Sequence, residues 1–386
     1  MKEQKKLKVA VVGLRFGGEF PPIYRDHPDV SQVVICDQNQ DLLRVYGDKF
    51  GFENRYSDFE QLLSADLDAV HIVTNIHTHH DLTIRALGAG LHTASTVPMA
   101  TTLKQLEDIL MACKTSGKNY MMMETAVYTF QFLCTQQLLK EGRIGRIQFL
   151  RGTHFQDMEG WPAYWHGLPP MHYATHAISP LLCLAGARAT EVQCLGSGWM
   201  RDELKKQYGN PYPVETAIFR LDKDGLAAEA SRSLFHVARE YVEGFTVFGD
   251  KASVEMNIEQ EVPYLYEFSN PLAENLSNQR GREIRVSKLE YPDFTARLPE
   301  SIRKFTKRHT ILDPANPHQS ITQGGEHHGS HPHLVHEFVS SILENRKPAI
   351  DAATAANWTA AGICAHESAM KLGERVTIPD FTNLLP

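Results

Sequence analysis

The first forty residues restrict the fold more than any other part of the chain. A β-branched apolar run ends in glycines, in Leu7-Lys-Val-Ala-Val-Val-Gly-Leu-Arg-Phe-Gly-Gly18, and a second apolar run, Val33-Val-Ile-Cys-Asp37, ends in an acid. Two such runs outline a nucleotide-binding βαβ unit. Gly13 lets the chain turn sharply out of the first strand. Gly17 and Gly18 close the pattern, and the last glycine lets the following helix pack on the strand with its N-terminus facing a pyrophosphate. Asp37 accepts hydrogen bonds from a ribose diol and repels a 2′-phosphate, which favours NAD over NADP. In G-x-G-x-x-G the middle glycine falls where this chain has Arg15. Arg15, with Phe16 beside it, is therefore a candidate cofactor contact through its side chain. An ordinary βα turn that binds nothing is the alternative.

Residues 7 to about 122 alternate short apolar runs with amphipathic ones. Strands are predicted at 8–12, 33–36, 69–73, 91–94 and 119–122, and helices at 41–50, 81–89 and 103–115. Pro21 and Pro22 shorten or bend the first helix. This alternation predicts an α/β fold, a Rossmann doubly wound parallel sheet with the dinucleotide across the carboxyl ends of its strands. After residue 123 the rhythm changes. Helices at 128–140 and 171–185 and strands at 147–154, 189–196, 214–221, 225–235, 243–248 and 253–258 predict an α+β domain with a large open, mostly antiparallel sheet. Residues 268–330 read as long loops, and helices at 333–344 and 352–371 follow. The expected division is 1–123 for NAD binding and 124–386 for substrate binding and oligomerisation, the last helices included.

The net charge of −7 comes with no long run of one sign, which gives no face for nucleic acid. No apolar stretch is long enough to span a membrane, and the charged start lacks an apolar signal core. Six scattered cysteines without a C-x-x-C pair fit reduced thiols and a cytoplasmic location.

Several local motifs resemble the Gfo/Idh/MocA oxidoreductases. Thr74-Asn-Ile-His-Thr-His79 is similar to that family's Thr-Pro-Asn-x-x-His loop, with Asn75 in place of proline. Gly90-Leu-His-Thr-Ala-Ser-Thr-Val-Pro98 resembles the strand leading to its Glu-Lys-Pro motif. Glu141-Gly-Arg-Ile-Gly145, Phe248-Gly-Asp-Lys-Ala-Ser-Val-Glu255 and the helix ending near Val376 are further matches. The resemblance implies that Thr74, Asn75, His79 and Pro98 lie at the cofactor, and that the second domain pairs with other copies into a homodimer or homotetramer. The family's lysine is Val97 here, which neither accepts nor donates a proton. Tyr173-Ala-Thr-His176, with Ala-Ile-Ser-Pro180 after it, resembles the Tyr-Pro-Thr-His stretch of the NAD-dependent glycoside hydrolase branch. Glu124-Thr-Ala-Val-Tyr128 is similar to that branch's Glu-Asn-x-x-Tyr segment.

What the resemblance implies for chemistry is specific. A sugar C–H above a nicotinamide gives up hydride while His176 takes the hydroxyl proton. The ketone acidifies the adjacent carbon, and a second base, from Tyr173, His172 or Glu124, removes that proton. The aglycone leaves, water adds and the hydride returns, so hydrolysis occurs without net oxidation. A plain NAD-dependent sugar or polyol dehydrogenase is the alternative, and a non-catalytic sugar sensor is a third reading. His172 and His176, four apart in the predicted helix 171–185, fall on one face. Tyr128, Trp165 and His166 are candidate sugar contacts, as are His328 and His331 in the histidine-rich Gly324–His333 segment. Metal binding by that segment is the weaker reading, so no metal is expected.

Overall fold

The computed structural model describes residues 5–239, 241–256, 262–269, 282–290, 292–311 and 321–384. The chain divides into two compact units, residues 1–129, 293–360 and 380–386 in the first and 130–292 and 361–379 in the second.

The first unit is built on a six-stranded sheet of order β3-β2-β1-β4-β5-β6. Its strands are β1 (Leu7–Val12), β2 (Val30–Cys36), β3 (Arg55–Tyr56), β4 (Ala69–Ile72), β5 (His92–Ser95) and β6 (Tyr120–Met122). All neighbours are parallel. The central strands are apolar along their length because helices cover both faces of such a sheet. Ala10, Val12, Val34, Val70 and Ile72 form its core together with Leu62, Ala86 and Leu91 from the covering segments. The predicted Rossmann parallel sheet is thus present. The first helix is short, Phe20–Asp26, with its prolines in the opening turn where no N–H is needed. The later helix His331–Leu343 packs on it within the same unit.

The second unit carries a nine-stranded sheet of order β14-β13-β12-β11-β7-β10-β9-β8-β17. The strands are β7 (Ile147–Phe155), β8 (Ala189–Ser197), β9 (Val214–Leu221), β10 (Ala227–Ser233), β11 (Val242–Gly249), β12 (Ala252–Glu255), β13 (Tyr264–Phe268), β14 (Ile284–Lys288) and, after the first unit's hairpin β15 (His309–Ile311) and β16 (Ile321–Gln323), β17 (Val376–Thr377). Every pairing is antiparallel except β7 with β10 at its centre. The helix Thr175–Ala185 packs across β7, β10 and β11. Gly152 permits this close approach: a Cβ there would stand 2.0 Å from the Ala177 carbonyl oxygen.

Three expectations need correction. The compact units do not follow a cut at residue 123, because residues 293–360 fold with the nucleotide-binding sheet. The stretch 268–330 is not simply loop, since β14, β15 and β16 lie in it; short strands with mixed polarity carry little periodicity to read. Residues 257 and 258 of the strand predicted at 253–258 lie outside the described residues, and β12 ends at Glu255. Among the described residues no helix is long and apolar enough to cross a membrane.

Candidate active site

In the first unit, Gly13 leaves β1 with φ +92°, and a Cβ there would lie 2.4 Å from the Val73 carbonyl oxygen. Only glycine fits both the dihedral and the space. The Leu14 N–H donates to Asp37 Oδ2 at 2.7 Å and the Asn39 N–H to Oδ1 at 2.8 Å. This fixes the carboxylate at the tip of β2, against the glycine turn. Gly17 and Gly18 are buried in the turn, while Arg15 and Phe16 are exposed beside it. A glycine turn edged by exposed Arg15 and Phe16 and bonded to a fixed acid fits a dinucleotide. Asp37→Ala is expected to weaken NADH binding by at least about 10-fold, the value of a lost charge-assisted hydrogen bond, and to narrow the gap to NADPH. Fluorescence titration of both nucleotides checks this, and an unchanged affinity ratio would overturn it.

His79 is fully buried. Its Nδ1 lies 2.8 Å from the Pro98 carbonyl oxygen, and its Nε2 lies 3.2 Å from the Thr74 carbonyl oxygen and 3.4 Å from Thr96 Oγ1. Burial lowers its pKa, opposed by the two carbonyl contacts. The ring thus ties the loop after β4 to the loop after β5, so His79 shapes the turn that Thr74 and Asn75 occupy. Asn75 caps that turn, its Oδ1 accepting from the His77 N–H at 3.0 Å. Val97 is buried and precedes Pro98 through a cis peptide bond.

Glu124 is fully buried, and its Oε1 accepts from the Ala126 N–H at 3.0 Å, capping the turn Thr125–Val127. The Tyr128 ring stacks on His333 with centroids 6.5 Å apart. His328 is exposed at the surface with φ +52°. His331 corrects the expectation of a sugar contact. It is 2% exposed and its ring packs 4.7 Å from Phe20, in the core of the first unit, because it opens a helix whose apolar face continues through Leu334 and Val335.

The second unit holds the denser chemistry. The segment around Tyr173 is not one helix: a 3₁₀ turn, Pro170–Tyr173, stops at Ala174, and the α-helix begins at Thr175. His172 and His176 therefore do not share a helical face, contrary to the four-residue spacing argument. The His172 ring lies against His366, centroids 4.9 Å apart. His176 turns toward the sheet, its Nδ1 3.2 Å from Glu243 Oε1. Its ring stands 5.1 Å from His154 and 5.6 Å from Tyr173.

Sheet register explains the rest of the cluster. Glu215 pairs with Arg232, Arg232 with His154, and His154 with Glu243, a single rung across β9, β10, β7 and β11. Glu215, Arg232 and His154 are 0% exposed and Glu243 8%, so four polar groups lie where apolar side chains normally sit. The Arg232 guanidinium is satisfied by carbonyls: Nε donates to Tyr173 O at 2.8 Å, Nη1 to His154 O at 2.9 Å and to Ser233 O at 2.7 Å. Its charge also lies 5.3 Å from the Tyr173 ring centroid. Burial lowers its pKa to about 10, so it remains a cation at neutral pH. Glu215 accepts from the Met171 N–H at 2.8 Å and lies 2.7 Å from His366 Nδ1. Tyr241 packs on His154 at 5.0 Å. Although Tyr241 is 45% exposed as a residue, loss of water at its hydroxyl and the negative charge of Glu243 raise its pKa well above the ordinary value. Trp165 is buried, its ring 4.9 Å from Tyr173, and His166 Nε2 lies 3.0 Å from the Trp161 carbonyl oxygen.

Tyr173 and His176 thus come together as expected. Arg232, His154, Glu243 and Tyr241 were not identified from sequence, although a signal exists. In β7 the buried positions run 150, 152 and 154, in β10 228, 230 and 232, and in β9 215, 217 and 219. Each inward phase carries one ionisable residue that period-two reading exposes.

Comparison with known proteins agrees with this architecture. Residues 7–124 match the family described as "Oxidoreductase family, NAD-binding Rossmann fold". That segment belongs to the Gfo/Idh/MocA oxidoreductases and is an NAD-binding Rossmann domain. A glycosyl hydrolase family 109 protein of Porphyromonas gingivalis is 31% identical over 198 residues, 45% of this chain and 42% of that protein. A levoglucosan dehydrogenase of Pseudarthrobacter phenanthrenivorans is 32% identical over 130 residues, 33% of each chain. These matches span less than half of the curated relatives' length. Among solved structures, levoglucosan dehydrogenase in complex with NADH and levoglucosan superposes with TM-score 0.77 at 22% identity, over 97% of this chain and 100% of that one. At that identity the likeness is one of fold.

Proposed function

We propose that this chain is an NAD-dependent enzyme acting on a glycoside, and that it hydrolyses its substrate by transient oxidation, elimination, water addition and re-reduction. The observation that carries the reading is the cluster of buried His176 and Glu243 with half-buried Tyr173 in a chain whose other unit is an NAD-binding domain. The partial likeness to a glycosyl hydrolase family 109 protein supports it.

When bound, the nicotinamide accepts and later returns hydride. The residues of the chain handle the protons. With His176 Nδ1 donating to Glu243, Nε2 holds a lone pair and takes the sugar hydroxyl proton. The Glu243 carboxylate steadies the imidazolium that results. Tyr173, held by Arg232 at its carbonyl, is the proposed second base for the carbon acid. Neither task needs the lysine that Val97 replaces. Trp165, Tyr128 and His166 are proposed sugar contacts, and Glu124, His172 and His328 are secondary candidates. A homodimer or homotetramer is part of the proposal, supported by Leu195 and Ile218, 62% and 55% exposed on the sheet of the second unit.

The test is a panel of nitrophenyl glycosides with NAD-supplemented protein in D₂O. Aglycone release, deuterium at the carbon next to the oxidised one and no net NADH are expected. Stoichiometric NADH without aglycone would replace the reading by a sugar dehydrogenase, which the levoglucosan dehydrogenase similarity favours. No turnover and no NADH across the panel would sink both.

A further inference from the structure

We propose that His154, His176 and Glu243 form a binding site for one divalent first-row transition cation. One ligand atom from each residue lies within 4.8 Å of the others, and all three residues are buried. The 3.2 Å between His176 Nδ1 and Glu243 Oε1 is the span of two neighbouring ligands on an ion with bonds of about 2.1 Å. The three groups come from separate rigid elements. His154 and Glu243 are register partners on β7 and β11, and His176 enters from the first turn of the helix Thr175–Ala185.

The donor set selects the ion's class. Two imidazoles with one carboxylate suit zinc and its neighbours, while calcium and magnesium favour all-oxygen shells. Three protein ligands leave coordination positions open. The outer layer is also in place. Arg232 Nη1 fixes the backbone at His154 through its carbonyl at 2.9 Å, and the Tyr241 ring packs on His154 at 5.0 Å. Such outer partners orient ligands and are worth about 10- to 100-fold in metal affinity. Arg232 opposes the ion electrostatically, but its N–H groups are committed to the carbonyls of Tyr173, His154 and Ser233 and to Gln156 Oε1. One carboxylate against this arginine and a dication makes the open positions attractive to an anionic oxygen.

The ion takes the place of the hydrogen that His176 Nδ1 otherwise donates to Glu243. With it bound, the ring keeps its hydrogen on Nε2 and donates there, so loaded and unloaded protein hold a sugar hydroxyl differently. The site does not depend on the glycoside reading: zinc uptake without glycoside turnover upholds the site and defeats that reading.

The experiment uses the full chain, stripped with EDTA and desalted, then titrated with ZnCl₂ by calorimetry with elemental analysis after a second desalting. One zinc per chain is expected, together with the visible bands of four- or five-coordinate cobalt when CoCl₂ is used. His154→Ala and the near-isosteric Glu243→Gln each reduce zinc affinity by at least about 100-fold, more than an outer-shell partner would, with the parent's circular dichroism spectrum and cooperative melting retained as proof that the second unit folds. The double variant His327→Ala/His328→Ala keeps the site. No zinc uptake by the parent chain overturns the proposal. So does zinc binding unchanged in both cluster variants, or binding lost only in the loop variant.

Discussion

Replacing His176 by alanine is expected to lower kcat by about 10²- to 10⁴-fold, the usual worth of a positioned proton acceptor, with the affinity for NADH unchanged. The two effects separate because the nucleotide cradle is made by residues of the first unit, at Gly13 and Asp37, whereas His176 belongs to the second. Glu243→Gln should show a smaller loss, because the amide still fills the space but no longer offers a carboxylate to the imidazole at 3.2 Å. The measurement is steady-state kinetics on the best glycoside of the panel, with the pH profile of kcat. The acidic limb should disappear in the alanine variant. A variant that keeps the parent kcat would show that His176 only fills space between β7 and β11.

The second large effect concerns stability in mild acid. Four histidines of the first unit have pKa values lowered chiefly by burial, His71 to about 3 and His27, His92 and His333 to about 4, and burial holds His331 well below the ordinary value. The unfolded chain has histidines near ~6.5. Below that pH the unfolded state binds protons that the folded state refuses. Stability is therefore whole above ~6.5 and is lost as pH falls through the window from there to about 4. Each fully buried imidazole costs on the order of 1 kcal/mol per pH unit in that window. His27, His71 and His331 are 1%, 0% and 2% exposed, so three of them act together. The melting temperature should fall by roughly 10 °C between pH 7 and 5.5. His71→Gln, which removes one titrating ring, should flatten the slope by about a third. A melting temperature flat across this range would show that these rings protonate without unfolding the unit.

The two units differ in how much of them the chain announces. Strand 7–12, the glycines after it and Asp37 are local signals, each within a few residues of the contact it makes, and reading them was enough to place the cofactor domain. The helix Leu103–Ser116 was legible for the same reason, with a threonine cap before it and Gly117 after it. Tyr173 and His176 were found through resemblance. Their partners were hidden because Glu215, Arg232, His154 and Glu243 are each unremarkable in their own segments and gain meaning only when four strands align. His331 misled because histidine beside glycine and serine reads as surface, yet Phe20, more than three hundred residues earlier, packs on it.

From sequence alone came the glycine turn after the first strand, the acid beside it and the NAD-binding Rossmann domain they announce, since a turn and the carboxylate beside it depend on local dihedrals and short spacing. Tertiary structure alone decided which imidazole meets which carboxylate. Hydrogen-bonding register across β9, β10, β7 and β11 sets that choice, and register is a property of paired strands, not of any one of them.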